Sequence, residues 1–507
     1  MSMVGLDTGT TGVKAVAFRD DGEPITSAYR EYDLKSPHPG HLELDPREVL
    51  DAIREVLGEV ASRTRDDPIR SLGACTLGEA AVPVDENWRP LANAIIGFDS
   101  RGEEEATRFR ERIPNERVCE IAGHGINSFH TLFKILWRRQ HTPEIFRQTH
   151  KFLCFGDFTA ASLGLEPRMN YPIAARTLAL DVHRLAWSEE ILEAADLSPD
   201  LLPPPVAPGE PIGELGKNDF GLPPGCVVAG GLHDQSAGIL GSGVQPGESM
   251  LATGTVICLG VRLRKTPETR VITESNLCFY PTFGEGQYIS IAYNFTGGSL
   301  LKWYRDNLAG DELAEAEQRH VDPYEVICGG LPDEPTGLLV LPHFATTGTP
   351  WLDPKALGAI VGLRLTTTRK DIVKAILEGV IYEIKLNSEL LRQAGVEIDM
   401  YRAIGGAARS PTWMQIAADI LDRPVAVLSV GEVASLGAAL MGARAAGIAR
   451  SEDDVYTIVQ RSARVARILE PRADKARQYA ERFAIYRDLY PATREISHRL
   501  FALEGEK

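Results

Sequence analysis

The strongest constraint on the fold is a strand–loop–strand pattern met at two places, either one unit repeated or two short Gly-Thr turns alike by chance. The first copy is Gly5-Leu6-Asp7-Thr8-Gly9-Thr10-Thr11, set between an apolar start at Val4 to Leu6 and a second strand-like run, Val13 to Phe18. The second is Leu251-Ala252-Thr253-Gly254-Thr255, again followed by an apolar run. Glycine reaches positive φ and lets the backbone approach a ligand. Successive N–H groups in such a turn form an anion-binding concavity, and threonine hydroxyls add donors. Asp7 would repel a phosphate unless a cation lay between them, and Mg²⁺ is often held by one or two carboxylates together with phosphates. Two readings stand side by side. Either the loops face one cleft and grip one polyphosphate, with Asp7 near Mg²⁺, or they are ordinary Gly-rich hairpin turns with Asx-type bonds. Neither loop is the G-x-x-x-x-G-K-[ST] type, because no Lys follows the glycines and a strand follows instead of a helix.

A chain of 507 residues is expected to form two or three domains, and its 44% hydrophobic content suffices for their cores. The balance of 54 basic against 70 acidic residues leaves −16. That argues against nucleic acid or an anionic membrane as a partner, but not against a nucleotide held by backbone amides and Mg²⁺. The seven cysteines are scattered singly, with no C-x-x-C, which suits a reducing cytosol better than a disulfide framework or a zinc site. The sequence shows no leader-like segment and no apolar run of about 18 residues. A cytoplasmic location is the expectation.

Along the chain, residues 1–35 read as a β-meander turned at Asp21-Gly22. Asp45 and Pro46 open a helix with Val49, Ile53, Val56, Leu57 and Val60 at helical spacing. The stretch 69–85 reads as a strand that bends at Gly78 and continues. Residues 102–195 read as mostly helical, and "GCVVAGGLHDQSAGILGSG" as buried strand, turn and helix. A second unit starts near 246. In it, "DIVKAILEGVIYEIKLNSELLRQAG" is a long amphipathic helix and "EVASLGAALMGARAAG" a small-residue helix suited to close packing. The tail, 473–501, reads as a charged helix broken near Pro491.

Asp234 follows an apolar strand and two glycines, where open α/β sheets place their sites. It either takes a proton from an attacking hydroxyl or caps the helix that begins at Gln235 or Ser236. Gly405-Gly406-Ala407 lets a flat base or ribose approach the backbone, or is a tight strand–helix turn. Glu79, Asp99 and Arg101 are polar residues near strand ends, suited to a hydroxylated substrate or to local ion pairing.

Together these segments resemble the FGGY carbohydrate kinases. The longest match is "GAIVGLRLTTTRKDIVKAILEG", 358–379; "HTLFKILWRRQH" matches a second signature at Lys134 and Trp137. The order of "GFDSR", "GGLHDQ", "LATGT", "GTPWLDPKALG" and "GGAARSPTWMQIAADIL" matches as well. The resemblance implies an α/β fold, the duplicated actin-like ATPase (ribonuclease H-like) fold with two lobes and a central cleft. Its implied divisions are 1–243 for the N-terminal lobe, 244–450 for the C-terminal lobe and 451–507 for a helical tail. It implies ATP and Mg²⁺, a sugar, sugar acid or polyol as acceptor, and a possible homodimer. Asp234 is implied as catalytic base and Asp7 as the carboxylate near the metal. Thr10 and Thr11, Thr253 to Thr255 (with Gly254), and Gly405, Gly406 and Ala407 are implied to hold the nucleotide. Glu79, Ala80, Ala81, Phe129, His130 and Gln235 are implied, with Asp234, to line the acceptor pocket. Family members specific for glycerol or xylulose carry polar pairs where Ala80-Ala81 stand, which disfavours both acceptors.

Overall fold

The computed structural model describes residues 2–504 except 39, 100 and 430. Two mixed sheets repeat one topology. In the first, strand Ser2–Thr8 pairs antiparallel with Gly12–Arg19, which pairs with Pro24–Glu31. On its other side Ser2–Thr8 runs parallel to Ile69–Thr76, followed by Val227–Ala229 and the antiparallel edge Pro211–Glu214. In the second, Glu248–Thr253 pairs antiparallel with Ile257–Leu263, then Tyr288–Asn294. Its other side is parallel to Met400–Ile404, followed by Val425–Leu428 and the antiparallel edge Val465–Leu469. Each Gly/Thr loop therefore joins two central strands of its sheet. This is the duplicated actin-like arrangement that the resemblance implies.

Local signals explain most elements. The Asp45 carboxylate accepts from Arg47 N at 2.9 Å and Pro46 opens helix Pro46–Arg63. Its apolar face, Val49, Ile53, Val56, Leu57 and Val60, is buried, each side chain contributing about 1.5–3 kcal/mol relative to exposure. Helix Arg369–Gln393 begins with a Thr368–Asp371 capping box. The reading of 69–85 as one bent strand needs correcting. Ile69–Thr76 ends in the first sheet, and Ala81–Val84 belongs to a separate four-stranded sheet.

The tail also differs from expectation. Helix Ala473–Glu504 runs unbroken through Pro491. It is anchored on both sides of the proline: Tyr490 donates to Asp353 at 2.5 Å and His498 Nε2 lies 2.7 Å from the same carboxylate. Upstream, Tyr479 and Tyr486 donate to the buried Glu378 and Glu383 of Arg369–Gln393. Tertiary anchoring thus outweighs the loss of one backbone donor.

The lobes meet through two small-residue helices. Helix Val433–Ala445 crosses the first sheet so closely that a Cβ at Gly5 or Gly73 would lie 1.8 Å from the Ser435 or Ala438 carbonyl oxygen. Helix Asp234–Gly241 meets the second sheet, where a Cβ at Gly260 would lie 2.5 Å from Ile239. The two helices also pack together, Gly437 against the Ala237 carbonyl and Gly241 against that of Val433.

Candidate active site

Asp234 is the first residue of Asp234–Gly241; His233 is the N-cap and makes no side-chain cap bond. The helix thus starts one or two residues before the positions at which Asp234 would have capped it. Instead, Asp234 Oδ1 accepts from Gln235 N at 2.5 Å and lies 3.0 Å from His233 Nε2. The side chain keeps 31% exposure, and Gln235 beside it is half-buried. Burial pushes the Asp234 carboxyl up to about 7, with the nearby Asp7 charge adding to the rise. A carboxylate so tuned accepts protons near neutral pH.

Asp7 is half-buried on its strand, opposite Lys14 in the hairpin and Cys75 in the parallel neighbour. Burial raises its carboxyl, against opposing contributions from Cys75 and Lys14. Lys14 Nζ donates to Glu432 at 2.8 Å, from the first hairpin to the start of helix Val433–Ala445. Among the described residues no set of three or more His, Cys, Asp or Glu side chains gathers to hold a metal unaided. One carboxylate suits a Mg²⁺ that brings phosphate oxygens and waters as its other ligands.

Both loops are pinned. In the first, Gly9 N donates to Gly12 O at 2.9 Å, and Tyr32 OH donates to Gly9 O at 2.5 Å. Thr10 and Thr11 then stand at the accessible tip. In the second, Gly297 N and Gly298 N each donate at 2.8 Å, to Thr255 O and Gly254 O. Thr253 Oγ1 donates to Ile404 O at 2.7 Å, next to Gly405. Gly405 has φ +96°, and a Cβ there would meet Thr253 O at 2.8 Å. The second loop and the Gly405-Gly406-Ala407 turn are therefore one surface.

On the acceptor side, Glu79 has φ +27° and forms an ion pair with the buried Arg176. Burial raises the Glu79 carboxyl while Arg176 opposes the rise. Phe129 and His130 line a cavity of about 170 Å³, with His124 and Arg176 from the same lobe and Tyr293 and Trp351 from the other. His124 and His130 are buried, and among the described residues their Nε2 atoms have no hydrogen-bond partner. Burial lowers both, His130 to about 3. Ala80 and Ala81 are both buried, each in a different apolar cluster. The polar group of this turn is Glu79. Asp99 and Arg101 form a buried pair at 2.6 Å, and Lys134 donates to both their carbonyls, at 2.6 and 2.5 Å. These residues brace a loop.

Arg176, His124, Tyr280 and Lys14 were not singled out from the sequence as site residues, although Lys14 lay within the first strand pair. Arg176 sat in "YPIAART", an apolar helix with no carboxylate one turn away, and an arginine in such a run is rarely buried unless paired.

Residues 2–241 match the FGGY family of carbohydrate kinases, N-terminal domain, and residues 250–446 its C-terminal domain. The chain is 26% identical over 504 residues to a xylulose kinase of Bacillus subtilis, covering 98% of both chains. It is 27% identical over 495 residues to a gluconokinase of the same species, covering 96% of this chain and 95% of that one. It is 31% identical over 462 residues to a glycerol kinase of Halorhodospira halophila, covering 88% of each. The structure of a xylulose kinase from Rhodospirillum rubrum superposes with a TM-score of 0.85 at 26% identity, over 98% of this chain and all of that one. The chain belongs to the FGGY family of carbohydrate kinases.

Proposed function

We propose that this kinase transfers the γ-phosphoryl group of MgATP to a primary hydroxyl of a sugar, sugar acid or polyol, with Asp234 as general base. The observation that supports this best is the state of the Asp234 carboxylate. It is recessed, poised near neutrality and tied down through Oδ1 alone. Oδ2 accepts no hydrogen bond from any described residue and takes the acceptor's proton. The hydroxyl oxygen then bonds to the γ-phosphorus as the bond to ADP breaks. Thr10 and Thr11 on one side, and Thr253, Gly254 and Thr255 on the other, present donors to the phosphates. Gly405, Gly406 and Ala407 receive the adenosine. Mg²⁺, when bound near Asp7, neutralises phosphate charge. Glu79 and Arg176 meet acceptor hydroxyls, and the cavity walled by Phe129 and His130 takes the acceptor's far end, with Gln235 beside the base.

Xylulose, gluconate and glycerol are the acceptors in the relatives' names, and no contact described above selects among them. The test is ADP release from MgATP across ketoses, sugar acids and polyols, with Asp234→Asn in parallel. Acceptor-stimulated release should fall by about 10²–10⁴-fold in the variant, with nucleotide binding retained. Near-normal turnover in Asp234→Asn removes it as base. ATP binding without stimulation by any acceptor favours a nucleotide-dependent binding protein on this fold.

A further inference from the structure

The cavity walled by Phe129 and His130 carries polar atoms that the protein itself leaves unmatched. Four of its lining side chains each hold a buried atom with no hydrogen-bond partner among the described residues: Arg176 Nε, His124 Nε2, His130 Nε2 and Trp351 Nε1. Buried polar groups are nearly always hydrogen-bonded, so each exception asks for a reason. Arg176 is 6% exposed, His124 2% and His130 0%. These three come from the first lobe and Trp351 from the second. The cavity adjoins the base. A Cβ at Gly78 would lie 3.3 Å from His233 Nε2 and 3.6 Å from Arg176 Nε, and His233 precedes Asp234 in the chain. His124 stacks on Tyr280 with ring centres 5.4 Å apart, and the Tyr280 hydroxyl hydrogen-bonds with His233 Nδ1 at 2.9 Å.

The unmatched atoms differ in what they ask for. His130 Nδ1 lies 3.1 Å from the Arg176 carbonyl oxygen. A carbonyl oxygen only accepts, so Nδ1 carries the ring proton. Burial keeps the ring neutral, which leaves Nε2 as a bare lone pair that accepts. Arg176 Nε–H and Trp351 Nε1–H, in contrast, only donate. A hydroxyl both donates and accepts, so a chain of hydroxyls satisfies all of them. A carboxylate only accepts and would set its charge against the His130 lone pair. The walls also offer it little positive charge. Arg176 is matched by Glu79, and burial holds His124 and His130 neutral. Arg110 stands exposed at the rim, where its Nη2 donates to the Ile126 carbonyl at 2.7 Å.

We propose that the acceptor is an uncharged polyhydroxy chain, a ketose or polyol and not a sugar acid, and that His130 determines this specificity by accepting a hydroxyl hydrogen at Nε2 while Arg176 and Trp351 donate to hydroxyl oxygens. The inference rests on the kinase reading above and narrows its acceptor. It also has the acceptor gripped by both lobes, through His130 on one side and Trp351 on the other.

The test gives the full chain MgATP and acceptors matched except for one charge: xylitol against xylonate, and glucitol against gluconate, with xylulose and 1-deoxyxylulose alongside. In the wild type, kcat/KM should be at least about tenfold higher for each uncharged member, the scale of one unmatched polar group. His130→Leu should lower kcat/KM for the best acceptor by about 10–100-fold, the scale of one lost buried hydrogen bond, with the KM for MgATP unchanged. His130→Gln keeps an acceptor near Nε2 and should recover most of that loss. The wild type should also prefer its acceptor to the analogue lacking the hydroxyl at the unreacting end, as xylulose to 1-deoxyxylulose. That preference should vanish in His130→Leu and persist in His130→Gln, which a merely structural role would not produce. Preference for the acids overturns the proposal, and so does a folded His130→Leu that still rejects the deoxy analogue. If His130→Leu does not fold, Trp351→Phe replaces it, and an unchanged KM for the acceptor there overturns the grip from both lobes. A wild type that phosphorylates no member of the panel defeats the kinase reading instead. Calorimetric binding of the same panel then decides the proposal, which falls if the acids bind more tightly or if nothing binds.

Discussion

The two Gly/Thr hairpins share a backbone plan and differ in charge. In the first, Asp7 faces Lys14 across the ladder; in the second, the matching pair is Ala252 and Cys258. The first loop is pinned by a side chain, Tyr32, and the second by two backbone donors, Gly297 and Gly298. Each lies beside a parallel strand, Ile69–Thr76 or Met400–Ile404, so both can turn N–H groups toward one cleft. A duplicated frame supplies amides twice, but a polyphosphate tolerates a carboxylate only where a cation intervenes. In the mechanism proposed above, keeping the charge on one hairpin divides the work: the first lobe would carry the base and the metal-side carboxylate, and the second the adenosine surface.

The largest expected effect after loss of the base comes from exchanging those hairpin residues. Asp7→Asn should lower kcat/KM by about 10²-fold, the scale of losing one preorganised electrostatic group at a reacting phosphate. Adding Ala252→Asp to that variant should restore nothing. Recovery in the double variant would show the two hairpins to be interchangeable and break the comparison.

The same pair of carboxylates sets the pH profile. As the proposed base Asp234 would work ionised, so kcat/KM should fall about tenfold per pH unit below about 7 and level off above it. Because the Asp7 charge adds to the rise at Asp234, the acid limb should move to lower pH in the residual activity of Asp7→Asn. A limb that stays in place would mean that Asp234 does not feel the first hairpin.

What was legible in the sequence was local. Asp45 with Pro46, Asp21-Gly22 and the two Gly-Thr loops carry their own turn and cap chemistry, and the helix at 433–445 showed by its small residues that it must pack closely. Its partners were not legible. Gly5 and Gly73 accept it only because their strands, far away in the chain, lie under it. Glu79 was singled out, but its Arg176 partner was not, since nothing near either residue in sequence announces the other. His233 likewise gives no local hint of Tyr280. The Pro491 error has the same origin: the proline is a local break signal, and the anchors that override it, Asp353 and Glu383, lie in another part of the lobe.

A smaller effect sharpens the nucleotide side of the comparison. Gly405→Ala puts a Cβ 2.8 Å from the Thr253 carbonyl at φ +96°, a strain of about 1–3 kcal/mol. ATP affinity should weaken by about fivefold or more, with kcat less affected, since the turn touches the second loop and not the base. Gly406→Ala is the control. No atom beyond its chain neighbours lies within 4 Å of a Cβ there, so it should leave folding unchanged and alter ATP affinity only if adenosine covers it.

The smallest effect separates two roles for Lys14. Its pair with Glu432 is a third exposed on each side, and such pairs contribute about 0.2–1 kcal/mol to stability. Lys14→Met should therefore barely move Tm, and Glu432→Gln should match it if the pair serves only to tie hairpin to helix. The second hairpin manages without a charge at Cys258, so the cation is not needed for the turn itself. If Lys14 leaves Glu432 for a phosphate when MgATP binds, Lys14→Met should raise the KM for ATP by about tenfold, equivalent to 1.4 kcal/mol. Glu432→Gln, which frees the lysine, should then leave that KM unchanged or lower it. Equal KM values in both variants would confine Lys14 to the hairpin and make Asp7 the only charge that distinguishes the two loops toward the nucleotide.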